Sequence, residues 1–113
     1  MTSYKVVVLE GAQKELRRLY SGYLLAEFGK AVAQKEYTAI KKSVNLLKTN
    51  PEMGTQIPGL SDLGFNHYRQ MTVQRLNKIV YQIDRSHKTV YVHIFCSARQ
   101  EFQTILNQRL LMD

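Results

Sequence analysis

The spacing of hydrophobic positions changes twice along the chain. The run from Tyr4 to Glu10, "YKVVVLE", is short, β-branched and bounded by Gly11, which predicts a strand buried on at least one face. From Ala12 the apolar residues Ala12, Leu16, Leu19, Tyr20, Tyr23, Leu24 and Phe28 return at steps of three and four. Lys14, Glu15, Arg17 and Arg18 fall mostly on the other side, the pattern of an amphipathic helix. Gly29 can serve as a helix C-terminal glycine, after which Ala33, Tyr37, Ile40, Val44 and Leu47 trace a second apolar stripe. Two helices so closely linked predict an antiparallel hairpin.

Asn50-Pro51 ends this pattern, because the proline ring pushes its predecessor toward extended geometry and removes a backbone donor. Gly54, Pro58 and Gly59 then predict an irregular link. Beyond it the period becomes two. "HYRQMTV", "NKIVYQID" and "KTVYVHIFC" each suit a strand, with "DRSHK" as a tight polar connection between the last two. Ile79, Tyr81 and Ile83 alternate on one face, as do Val90, Val92, Ile94 and Cys96. The last stretch, "SARQEFQTILNQRLL", opens with Ser97 and carries Gln100 three residues later, a capping-box pattern that predicts a short C-terminal helix. The expected fold is α+β in two layers. An N-terminal strand and a helical hairpin pack on an antiparallel sheet, with the short helix at the end, all in one domain over residues 1–113. The hairpin would cover one sheet face and leave the other face or an edge available.

Composition narrows the partners more than the fold. At 113 residues and 44% hydrophobic the chain can fill a single core. A net charge of +7 favours an acidic partner such as nucleic acid, an acidic protein or a membrane surface. The lone Cys96 excludes an internal disulfide framework, and no Cys or His spacing resembles a zinc-ligand set, so neither a metal nor a cofactor is expected. No apolar run approaches the length of a membrane span and the first residues lack the pattern of a secretory signal, so a cytoplasmic protein without membrane contact is expected.

Positive charge concentrates on the strand half. Between Leu63 and Gln100 stand Arg69, Arg75, Lys78, Arg85, Lys88 and Arg99 against Asp84 alone. Tyr91, His93 and Phe95 would share one strand face, and aromatic rings among cations suit stacking and phosphate contact with single-stranded nucleic acid. The plainer reading is that these rings are core and the charges solvate an exposed face. A metal-free ribonuclease needs a base, an acid and cations for the phosphorane charge. Lys78 and Arg99 could supply the cations, and His93 or Tyr91 the proton transfer. His67, His87 and His93 have no local pairing as base and acid, and there is no nucleophile motif, phosphate-cradling loop or carboxylate pair.

The order of elements resembles the RelE/ParE family of bacterial type II toxins. Three stretches carry the resemblance: "AQKELRRLY" opening the hairpin, "LLKTNPEMGTQIPGL" after it, and "YRQMTVQRLNKIVYQID" leading to "VYVHIFCSARQEFQTIL". The second is similar to the family's Leu-x-x-x-Pro-x-x-Gly link. On the RelE-like pattern, whose members cleave messenger RNA on the ribosome, Arg69 and Met71 take the positions of a lysine pair. Lys78 and Arg99 take those of two arginines, and the acid/base tyrosine falls on Ile105, which cannot transfer a proton. The ParE-like comparison, to poisons of DNA gyrase, fits the long hairpin and the ending "SARQEFQTIL". In that ending Ser97 stands where such members have histidine, and Glu101 holds the acidic place. The resemblance implies a gyrase-binding toxin with Arg69, Arg75, Lys78 and Arg99 toward the target. It also implies an acidic antitoxin across Leu16, Leu19, Tyr20 and Tyr23, with the oligomeric state set by the antitoxin complex. The alternative it implies is a ribosome-dependent endoribonuclease acting on mRNA.

Overall fold

The structure is a computed structural model that describes residues 3–65, 67–74, 77–97 and 108. Strand β1 (Lys5–Val8) runs into helix α1 (Glu10–Arg18), a π-helical turn over Leu19–Leu24 and helix α2 (Leu25–Leu46). A two-residue strand β2 (Thr55–Gln56) and a short 3-10 turn follow, then β3 (Tyr68–Val73), β4 (Asn77–Asp84) and β5 (Thr89–Ser97). The helix expected from Ala12 starts two residues earlier, with Gly11 inside its first turn. A first-turn N–H has no intrahelical partner, so a glycine there does not mark a boundary. Gly29 supplies the hairpin bend: its φ of 82° is left-handed, a conformation that costs a glycine little. Asn50-Pro51 acts as expected, since α2 stops at Leu46 and gives way to turns.

The five strands lie in the order β1-β5-β4-β3-β2. β2, β3, β4 and β5 pair antiparallel, while β1 pairs parallel with β5, Val6 opposite Val90 and Val8 opposite Val92. The hairpin carries the chain from β1 at one edge of the sheet to β2 at the other, and β2, β3 and β4 lead back to β5 beside β1. The hairpin's inner stripe, Ala12, Leu19, Leu24, Ala33, Ile40 and Leu47, is buried against Ile79, Tyr81, Ile83, Val90, Val92 and Phe95. This is the expected two-layer packing of a helical hairpin on a sheet.

Two expectations about the sheet change. The alternation Val90, Val92, Ile94, Cys96 does not stay on one face. Val80 pairs with Ile94 but Tyr81 pairs with Val92, so His93 is an extra residue, a β-bulge that hands the inner face from Val92 to Phe95. Ile94 and Cys96 therefore point away from the hairpin. The second face is not open either: Ile57 and Leu60 from the link close over Val80, Ile94 and Cys96, with Phe65 and Tyr68 packed against them. The link read as merely irregular is thus a third layer over part of the sheet, and its residues Thr55–Gln56 pair with β3. The predicted C-terminal helix, with Ile105 and Glu101, lies outside the described residues except for Ser97 and Gln108.

Candidate functional site

The strand register decides which cations can act together. On an antiparallel pair, residues opposite one another share a face. Arg69 is opposite Tyr81 and Met71 opposite Ile79, both in the core beneath the hairpin. Lys78 is opposite Thr72 and Cys96, on the other face. Arg69 and Met71 therefore do not join Lys78 in one cluster, as the RelE-like placement would require. Arg75 and Arg99 lie outside the described residues.

Arg69 is occupied as a clamp. Its guanidinium donates to the Gly54 carbonyl at 2.6 Å and the Glu52 carbonyl at 3.4 Å, and lies 3.9 Å from the Glu52 carboxylate. Its side chain is only 20% exposed. The Gly54 N–H donates to the buried Tyr81 hydroxyl at 2.9 Å. Burial raises the pKa of that phenol, partly offset by the Gly54 N–H and the Arg69 charge. Glu52 also accepts from Arg85 at 2.9 Å, which holds the Arg85 guanidinium above its ordinary pKa. Pro51 to Gln56 is thus tied to the sheet through Arg69, Tyr81 and Arg85, of which only Arg69 is a candidate target-binding residue by sequence.

The side of the sheet carrying Lys78 opens at its edge. β2 reaches only Arg69 and Gln70, so Met71 to Val73 have no strand beyond them among the described residues. The Gln70 carbonyl is directed at β2, close beside Gly54, and by alternation the N–H and C=O of Thr72 face the open edge. A cleft of about 420 Å³ lies there, lined by Ser43, Gly54, Gln70, Thr72, Val73 and Lys78 among others. The side-chain oxygen of Gln70 is buried with no hydrogen-bond partner. Such an acceptor is costly to leave unmatched. Gln70 carried no sequence signal, because a polar residue on an edge strand is ordinary.

The remaining candidates separate. His93, re-aimed by the bulge, has its Nε2 3.0 Å from Gln82 Oε1 and its ring 5.1 Å from that of Tyr68. Tyr68, whose phenol pKa burial raises, also stacks edge-on with Phe65. Tyr91 is opposite Gln82 on this same face, half-buried. The rings of Phe65, Tyr68 and His93 form a packed aromatic group, apart from the cleft lining. His87 sits in the exposed turn, its Nδ1 2.8 Å from Asp84. Hydrogen bonds from Ser86 and His87 hold the Asp84 carboxyl below its usual range. Cys96 is buried and its thiol is pushed up to about 11, chiefly by burial. Among the described residues no group of three or more His, Cys, Asp or Glu could hold a metal ion, and no helix is long and apolar enough to cross a membrane.

On the hairpin, Leu19 is 5% exposed and belongs to the core, so it offers no surface to a partner. Leu16, Tyr20 and Tyr23 are half-buried against that core and keep part of their surface outward. Tyr20 meets Tyr37 edge-to-face at 5.2 Å, and Tyr23 meets Phe28 at 5.8 Å.

Residues 6–101 match the family described as the ParE toxin of the type II toxin–antitoxin system parDE. No curated protein matches the sequence. Among solved structures the fold is similar to a chromosomal ParDE system from P. aeruginosa, with a TM-score of 0.64 and 16% identity over 86% of this chain and 98% of that one. It is equally similar to a mutant of the E. coli toxin RelE in the free state, with a TM-score of 0.64 and 19% identity over 96% and 99%. The RelBE2 toxin–antitoxin complex from Mycobacterium tuberculosis follows at 0.57 and 18%, over 86% and 93%. With the family match running from β1 past the end of β5, the chain belongs to the ParE toxin family of type II toxin–antitoxin systems, within the RelE/ParE superfamily.

Proposed function

We propose that the protein is a toxin that poisons DNA gyrase and is neutralised by an acidic antitoxin. The observation that carries this reading is the strand register. Phosphodiester cleavage without a metal needs several cations and a proton carrier around one phosphate. Here Arg69 is spent on the Gly54 and Glu52 carbonyls beneath the sheet, and Lys78 stands on the opposite face. A toxin that acts by binding a large partner has no such need for convergence, and dispersed cations serve it well. Lys78, with Arg75 and Arg99, is proposed to contact the target. Arg69 supports that surface from behind.

The antitoxin is proposed to lie across the outer surface of Leu16, Tyr20 and Tyr23 and to reach the unpaired edge at Met71 to Val73. An extended segment can pair there with Thr72. The second reading, ribosome-dependent mRNA cleavage, draws on the cleft beside Lys78 with its unmatched Gln70 oxygen.

One experiment separates the two. Purified protein is assayed for inhibition of gyrase supercoiling with accumulation of cleaved DNA, beside a ribosome-bound mRNA cleavage assay. Inhibition of gyrase with intact mRNA is expected. Cleaved codons with unaffected supercoiling would replace the first reading by the second.

A further inference from the structure

The hairpin carries a groove of about 690 Å³ lined by Arg17, Tyr20, Ser21, Gln34, Tyr37 and Thr38. Positions 17, 20 and 21 on one wall and 34, 37 and 38 on the other follow helical spacing, so each wall is a single helix face. No lining residue is acidic and none is aliphatic. The Lys41 ammonium lies 5.4 Å from the Tyr37 ring centroid and adds a second cation beside the Tyr20–Tyr37 pair.

The surrounding charge is more one-sided than the sequence suggests. Between Glu10 and Leu46 stand seven Lys and Arg residues, all exposed, and four glutamates. Two of those glutamates turn inward. Glu15 accepts from the Phe95 N–H at 3.3 Å, and Glu36, 6% exposed, accepts from the Asn77 side-chain amide at 3.1 Å. The outer hairpin surface is left with Glu10 and Glu27 as its only carboxylates, and Glu10 is engaged by Lys14 at 3.6 Å.

We propose that this groove binds single-stranded nucleic acid, with a base against the Tyr20–Tyr37 rings and flanking phosphates on Arg17 and Lys41. Base stacking on aromatic side chains inside a basic groove is how strands are held without sequence preference. An amphipathic peptide would instead require aliphatic pockets for its anchors, and this lining has none. For a toxin acting on opened DNA, such a groove adds a contact to the nucleic acid itself. An antitoxin lying over the hairpin would close it, which gives neutralisation a direct steric route.

The test is fluorescence anisotropy of the full-length protein with a short fluorescein-labelled oligothymidine, at several salt concentrations and without gyrase. A negative gyrase assay therefore leaves this result unaffected. Binding is expected to weaken with salt, to fall by about tenfold in Tyr37→Leu and to persist in Tyr37→Phe, which keeps the stacking face. Arg17→Gln should lower the slope of log affinity against log salt by about 0.7, one phosphate contact. Thermal unfolding of each variant checks the fold, and Arg17→Gln, altering an exposed position, keeps the test available if Tyr37→Leu unfolds. Unchanged binding in both Tyr37→Leu and Arg17→Gln would overturn the proposal. So would loss of binding in Lys78→Ala alone.

Discussion

Replacing Tyr81 with phenylalanine tests whether the link after α2 is held to the sheet by one buried hydrogen bond. Tyr81 is fully buried and its hydroxyl oxygen accepts the Gly54 N–H at 2.9 Å. In Tyr81→Phe that N–H loses its partner while the surrounding packing stays nearly intact, a loss of about 1–3 kcal/mol. For a chain of this length that corresponds to about 4–12 °C in Tm. Gly54→Ala attacks the same place sterically. A Cβ there would stand 2.5 Å from the Gln70 carbonyl oxygen and 2.8 Å from the Tyr81 hydroxyl, and a backbone carbonyl in a sheet cannot step aside cheaply. A cost of about 1–3 kcal/mol is expected from such overpacking. Because part of the collision is with the hydroxyl that Tyr81→Phe removes, the double variant should lose less than the sum, by about 0.5 kcal/mol or more. Gly22, with nothing within 4 Å of its would-be Cβ, is the control: Gly22→Ala should be neutral or stabilising by up to about 1 kcal/mol. Guanidinium denaturation reads all four, and hydrogen exchange at Gly54 reports the bond itself. An unchanged denaturation midpoint in Tyr81→Phe, with Gly54 exchange as slow as before, would refute the reasoning.

Arg69→Ala should lower stability by about 1–3 kcal/mol, since the Gly54 and Glu52 carbonyls lose a charged donor, whereas Lys78→Ala is expected to reduce target inhibition. Paired calorimetry and supercoiling assays check this. Leu19→Ala should cost about 2–5 kcal/mol in denaturation, so that any loss of antitoxin affinity in that variant follows from unfolding. Cys96 should resist thiol reagents at pH 8 in the native state. Its pKa is raised on folding from 9.0 to about 11, so its contribution is complete below pH 9 and is lost as pH rises toward 11. Cys96→Ala should show a shallower alkaline fall in stability, measured by denaturation at stepped pH.

The helical half was legible because its signals were redundant. The stripe Ala12, Leu19, Leu24, Ala33, Ile40 places the core whether a turn is α- or π-helical, and Gly29 and Pro51 mark its bend and end. The sheet was less so, because period-two alternation carries no record of a bulge. Val90, Val92, Ile94 and Cys96 read as one face, yet a single extra residue at His93 moves the last two to the other. The adjacent pair Ile94-Phe95 held the clue, since two consecutive buried apolar residues in a strand demand cover on both sides. That cover was present in the sequence as Ile57, Leu60 and Phe65, apolar residues in a link dominated by turn formers. The parallel pairing of β1 left no local trace, because a β-branched run suits either direction.

The charge pattern misled for a related reason. Arg69, Lys78 and Arg85 read along the chain as one basic cluster, but Lys78 is set apart from the other two, which share Glu52. Arg69 lies beneath the sheet on backbone carbonyls, Lys78 faces the opposite side, and Arg85 stands in a turn on Glu52. Meanwhile the hairpin turns Glu15 and Glu36 inward, so that seven exposed cations face two outward carboxylates, Glu10 and Glu27. Among the described residues the cations are therefore spread around the molecule rather than focused on one point. Focused charge lowers the barrier to breaking one bond; dispersed charge speeds and orients contact with an extended anionic partner. Among the described residues the cations have the second arrangement, which supports the proposed contact with an extended anionic partner over chemistry at a single scissile phosphate.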